Sequence, residues 1–373
     1  MLELTICETR RRLSGNIAAR KDPIPRPCTR ATIWTVGILL LCLALAETVL
    51  AQGSPDIVWQ AEHSGKALAF SSDGRLLLAG TNLWRASDGK KIRTFVLPYN
   101  GSGVNAVALS PDGQLAAIGI QAYNQNLDLF RVGDGALIRG RITAHNNGTT
   151  SVAISPDGQL LASGGRDGTA KIWHLPDMTL VRTFNGGVGY QARVFAVRFS
   201  LDGQILAVGG QGGVQLFRVS DGTLIQALNG ASSTLSLAIS PDDQFIAAGS
   251  NATDQQGQCT DCSIKTWRIS DGALLQTIDG NNNGIISVDF SPDQPLIMAG
   301  SGDRVYDGVV RFWRRSDGAL VRFFYQDPNN GASYVTSALY SPDGSLFAFA
   351  RADGLVVVAK AFSIAQEAQP IGP

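Results

Sequence analysis

With 373 residues, the chain is long enough for one large domain or two ordinary ones. Only 17% of its residues are charged and 42 are glycine, a balance that favours many short strands and turns over long surface helices. Its 31 basic residues equal its 31 acidic ones, which argues against a nucleic-acid partner and against attraction through bulk charge.

The first 51 residues differ from the rest. Arg10, Arg11, Arg12, Arg20, Lys21, Arg26 and Arg30 precede an apolar run from Ile33 to Ala46, broken only by Thr35 and Gly37. Val49-Leu50-Ala51 then offers small residues where a signal peptidase cuts, so residues 1–51 are expected to be a secretory signal. The mature chain would start at Gln52 and be exported to the periplasm or the cell exterior. The alternative is an uncleaved membrane anchor, since Ala31 to Ala51 is nearly long enough to span a bilayer despite Glu47.

Without the leader, 24 basic residues face 27 acidic ones, a net charge of −3, and two cysteines remain. Cys259-Thr260-Asp261-Cys262 in an exported chain points to a disulfide that closes one small loop. No further soft ligand lies near this pair, and His63 and His174 are isolated, so no metal site and no cofactor are expected.

From residue 52 to 364 one unit recurs seven times, anchored at Ser71, Ser110, Ser155, Ser200, Ser240, Ser291 and Ser341. Six intervals span 270 residues, a mean of 45, the length of one four-stranded propeller blade. Before each anchor, apolar residues alternate, as in Val152 and Ile154 or Val288 and Phe290, which marks the innermost strand of a blade. The anchor opens a turn such as Ser155-Pro156-Asp157-Gly158. In this turn Ser is expected to cap its own backbone, Pro to hold φ, Asp to bond forward and Gly to accept positive φ.

A second strand follows, Gln159 to Ser163 in that copy, and then a third ending near Trp84, Phe130, Trp173, Phe217, Trp267 or Trp313. Asp-Gly turns, with Asp177-Met178 as the exception, lead to a fourth strand. The seventh unit has no fourth strand of its own, its third being Leu355 to Phe362, and residues 365–373 read as a short flexible tail. Ile57-Val58-Trp59-Gln60 is spare at the other end and should complete the last blade. The expectation is an all-β, seven-bladed propeller of four-stranded antiparallel blades.

These motifs resemble the WD-repeat β-propeller family. The third unit is most similar, with Ala144-His145, Ala162-Ser163-Gly164, Asp167-Gly168 and Lys171-Ile172-Trp173. The resemblance implies a hydrogen-bonded network of His145, Ser163, Asp167 and Trp173 within one blade, and a non-enzymatic scaffold that binds a protein or peptide. His174 stands where the family has Asp after the Trp, and the other units lack the His. The Ser-His-Asp combination also suggests a hydrolase, but each residue falls on a framework position rather than in a strained nucleophile turn.

Loop lengths single out one face. The first and third turns of every unit are short, whereas the interval from anchor to second Asp-Gly turn grows from 16 residues at Ser71 to 30 at Ser240. The middle turns and inter-blade crossings therefore form the variable face, where recognition is expected. Its candidates are Tyr99, Tyr123, Tyr190, Arg193, Arg304 and Tyr306, aromatic and cationic side chains among Asn, Gln and Gly. The propeller is expected to be monomeric. The competing reading is a small-ligand or enzymatic propeller that uses its central channel.

Overall fold

A computed structural model describes residues 56–62, 65–98, 103–124, 126–186, 193–254, 259–279, 284–302, 308–325 and 333–362. They form seven four-stranded antiparallel sheets and one two-stranded ribbon. Blade 3 shows the plan, with strands Thr149–Ile154, Leu160–Gly165, Thr169–His174 and Thr179–Asn185 joined as consecutive neighbours. Each innermost strand also meets those of the adjacent blades, and the innermost strand of blade 7, Val335–Tyr340, meets that of blade 1, Leu68–Phe70. The ring is closed, so only the outermost strands leave an edge.

The turn chemistry differs from expectation in one respect. Ser155 does not cap its own backbone: its Oγ accepts the N–H of Leu160 across the turn at 2.9 Å and donates to Asp157 Oδ1 at 2.5 Å. Asp157 in turn accepts the N–H of Gln159 at 3.0 Å, and Gly158 sits at φ 72°. The serine, directly after the first strand, thus staples the first residue of the second strand back across the turn. The serine–aspartate bond recurs in every copy, for example at 2.6 Å from Ser71 to Asp73 and from Ser341 to Asp343. That hydroxyl is the main reason the carboxyls of Asp73, Asp112, Asp157 and Asp343 lie below the usual range.

Seven apolar clusters hold the ring, one at each blade interface. Second and third strands supply roughly half or more of each cluster, and stretches such as Leu206–Val208 and Val356–Ala359 are fully buried. This is why they read as apolar runs rather than as alternating strands. Close approach between blades needs small residues at one register position. A β-carbon on Gly164 would lie 2.6 Å from Val194 Cγ1, and one on Gly300 would lie 2.4 Å from Val335 Cγ1, each contact being to the first strand of the next blade.

A second stitch joins the blades at their outer rim. In blades 1, 3 and 4 a long polar side chain, five residues after the Asp of the third turn, reaches the third turn of the next blade. Arg93 donates to Gly133 O at 2.5 Å, Arg182 to Asp221 O at 2.6 Å, and Gln226 to Asp271 O at 2.8 Å. The turns themselves are braced by arginine three residues earlier, as in Arg85–Asp88 at 2.8 Å and Arg314–Asp317 at 2.7 Å. Met178, in the exceptional turn, takes the left-handed conformation at φ 58° that glycine adopts elsewhere.

Closure uses the N-terminal strand. Ile57–Glu62 pairs antiparallel with Leu355–Lys360, giving the sheet order expected for a last blade completed from the other end of the chain. Trp59 then does for blade 7 what Arg93 and Arg182 do elsewhere. Its indole lies on the Gly89 turn of blade 1, where a β-carbon would come within 2.6 Å of the ring, and its Nε1 donates to Ala86 O at 2.7 Å.

Three boundaries shift slightly. The second strand of blade 3 runs Leu160–Gly165 and the third strand of blade 7 stops at Lys360, while His174 is the last residue of its strand, which adds a third boundary to those the sequence placed. Residues 1–51 and 365–373, with their expected leader and tail, lie outside the described residues. Among the described residues no helix is long and apolar enough to cross a membrane.

Candidate functional site

Blade 3 contains the polar network. His145 comes from the crossing between blades 2 and 3, Ser163 from the second strand, Asp167 from the middle turn and Trp173 from the third strand. Trp173 Nε1 donates to Ser163 Oγ at 2.8 Å, and the same oxygen lies 2.8 Å from His145 Nε2. His145 Nδ1 is 3.0 Å from Asp167 Oδ1. One proton arrangement satisfies all three contacts: indole N–H to hydroxyl, hydroxyl to Nε2, and Nδ1–H to carboxylate. Burial alone would raise the Asp167 carboxyl. The hydrogen bonds from His145, Thr169 and the Asn146 N–H outweigh that and hold it well below the usual range.

This geometry is a fastener. Ser163 is fully buried on a regular strand, and its hydroxyl already accepts from Trp173 and donates to His145. With its side chain fully buried, it offers no access for a substrate carbonyl. Other blades build fasteners from different residues. In blade 5, Lys265 Nζ contacts Asp261 at 2.5 Å and Ser263 Oγ at 2.7 Å. In blade 6, Arg311 Nη1 donates to Ser301 Oγ at 2.7 Å. In both blades alanine, Ala248 or Ala299, takes the register place of Ser163, and the polar contacts run through Lys265 and Arg311, which stand where Lys171 does in blade 3.

Cys259 and Cys262 form a disulfide, their Cα atoms 5.9 Å apart. The pair lies in the middle turn of blade 5, beside a ribbon of Ala252–Thr253 and Cys259–Asp261. Between the cysteines, Asp261 reaches Ser232 Oγ at 3.0 Å in the preceding crossing. Among the described residues no group of three or more His, Cys, Asp or Glu side chains is placed to hold a metal ion.

On the variable face, Gln121, Ala122, Tyr123, Asn147, Arg166 and Arg193 line a pocket of about 400 Å³. They come from the middle turns of blades 2 and 3 and from the crossings into blades 3 and 4. The structure thus brings together Tyr123 and Arg193, two residues selected from the sequence. Tyr123 is 79% exposed, an unusual position for a large aromatic ring. Tyr99, Tyr190, Arg304 and Tyr306 lie outside the described residues.

Gln121, Asn147 and Arg166 were not selected. Arg166 stands beside Asp167, whose framework role masked it, and Asn147 follows His145 in the same way. Among the described residues no carboxylate lines the pocket and neither arginine has an ion-pair partner. The neighbouring Asn126, from the same loop as Tyr123, is instead fully buried. Its Oδ1 accepts the His145 N–H at 3.2 Å and the Thr149 hydroxyl at 3.0 Å, tying blade 2 to blade 3.

The family model described as WD domain, G-beta repeat matches residues 138–174, 222–268 and 272–314. Each match runs from the end of one blade through the third strand of the next, and the first contains the whole His145–Trp173 network. No curated protein matches the chain.

Proposed function

Given that the chain is a WD-repeat β-propeller, we propose that it is an exported, non-enzymatic scaffold that binds a protein or peptide through its variable-loop face. The observation that carries this reading is the pocket of Tyr123, Arg166 and Arg193. Two guanidinium groups without a carboxylate favour a partner segment bearing Asp or Glu, to which each arginine offers a planar two-donor fork. The exposed ring of Tyr123 supplies apolar contact at low entropic cost. Export is read from the basic, apolar and small-residue order of residues 1–51.

Two experiments test the proposal. Protein bearing Tyr123→Ala, Arg166→Glu and Arg193→Glu, used as bait on the native envelope and culture fluid, should lose the partners captured by wild type. Losses should be at least about ten-fold, since reversed charges repel an acidic segment. Retention of every partner would mean that the wrong face has been chosen. For export, the purified mature protein should begin at Gln52, and a chain beginning at Met1 would support the membrane-anchor alternative.

A further inference from the structure

The anchor serines set a register that can be followed around the axis. Two residues before each anchor stand Ala69, Ala108, Ala153, Arg198, Ala238, Asp289 and Leu339. Five of the seven are apolar, four of them alanine. The other two are an arginine in blade 4 and an aspartate in blade 6, and both line a cavity of about 280 Å³ within the ring of innermost strands. The lining comes from the last four residues of those strands, so the cavity lies toward the tight-turn face, away from the Tyr123 pocket.

The two charges do not meet as an ion pair. Asp289 is fixed by its backbone surroundings: Oδ1 accepts the Phe290 N–H at 3.0 Å, and Oδ2 accepts the Tyr340 N–H of the next blade at 2.9 Å. Arg198 Nη1 donates to Val197 O at 3.1 Å, a carbonyl of its own strand. The guanidinium carries five N–H donors, and its side chain keeps solvent contact inside the channel. Most of its bonding capacity therefore faces the cavity.

Charge balance narrows the choice of occupant. A simple anion on Arg198 would lie in the same enclosed space as the Asp289 carboxylate, and a simple cation on Asp289 would face the guanidinium. A molecule carrying both charges leaves the net charge of the channel unchanged. The cavity is slightly smaller than pockets for drug-sized ligands, which begin at about 300 Å³. Its remaining wall is apolar, from Ala69, Ala108, Ala153, Val152 and Leu339.

We propose that the channel binds a small zwitterion of α-amino-acid size. The carboxylate sits on the Arg198 fork, the ammonium faces Asp289, and the side chain lies against the alanine and leucine wall.

The test is calorimetric titration of the purified protein with each of the twenty standard L-amino acids. Any that binds is compared with its carboxylate-only and amine-only analogues. At least one aliphatic amino acid should bind with Kd below about 1 mM, and each analogue should bind at least about ten-fold more weakly for want of one charged contact. Arg198→Gln removes the bond to Val197 O and the charge near Asp289, and should abolish binding while a single cooperative melting transition and an unchanged far-UV spectrum show that the ring still folds. Arg198→Lys should weaken it by about ten-fold because the fork is lost. Arg166→Glu with Arg193→Glu should leave amino-acid binding intact, which separates this site from the scaffold surface. The proposal is overturned if no amino acid binds, if an analogue binds as tightly as its parent, or if Arg198→Gln and wild type bind alike.

Discussion

A serine hydroxyl that accepts the N–H of Leu160 and donates to Asp157 is the smallest unit on which this ring depends. Replacing Ser155 with Ala leaves a strand N–H without its acceptor, and urea denaturation should show a loss of about 1–3 kcal/mol. Asp243 shows two effects in competition. It holds a left-handed φ of 53°, where glycine would be easier by about 1–2 kcal/mol, but its carboxylate accepts the N–H groups of Leu201 at 2.8 Å and Asp202 at 3.0 Å in blade 4. Bonds to a charged acceptor contribute about 1.5–3 kcal/mol each, so the bonds outweigh the strain and Asp243→Gly should destabilise by about 1 kcal/mol or more.

The carboxyls also set opposing pH dependences. Those held low by serine, such as Asp157, add stability that is present above the unfolded value of about 3.9 and is lost as pH falls through the lower folded value. Asp289 behaves in the opposite way, since burial pushes it up to about 6 against its backbone bonds and the charge of Arg198. Its folded form holds a proton that the unfolded form releases, so stability falls as pH rises from about 4 to about 6. Melting curves should therefore drop steeply below about pH 4, less so in Asp157→Asn. The decline between pH 4 and 6 should shrink in Asp289→Asn.

At the scale of strands, the ring is held by what each blade places on the next. Trp59 joins the terminal strand to blade 1 through a hydrogen bond, contact with Gly89 and a ring contact with Trp84 at 5.7 Å. Trp59→Ala removes all three and should cost about 3 kcal/mol or more in chemical denaturation. Trp59→Phe keeps the ring, loses the bond, and should cost less. Gly164 shows the reverse constraint, because any added side chain meets Val194 of the next blade. Gly164→Val should destabilise by about 1–3 kcal/mol through overpacking. Only the first was readable in kind from the sequence, as a spare strand, and both sets of contacts cross between blades.

Over the whole molecule, the division of labour follows from ring geometry. Short turns on one face are occupied by stapling bonds, while longer connections on the other are free to vary, and the pocket of Gln121, Tyr123, Asn147, Arg166 and Arg193 opens there. Sequence alone determined the blade count, the strand order within a blade and the closing strand, each carried by a local repeat of turn chemistry and apolar alternation, and local signals survive in one dimension. The residues of the blade-3 fastener came from the resemblance to the WD-repeat family. Tertiary structure alone decided that Arg166 and Arg193 share a pocket, that Asn126 is buried while Tyr123 is exposed, and that Arg198 faces the same cavity as Asp289. Arg198 and Asp289 both stand two residues before an anchor serine, where alanine is the common residue, so aligning the repeats would have flagged them as exceptions. Their common cavity depends on ring closure, which brings residues far apart in the chain onto one axis, and no local pattern records that.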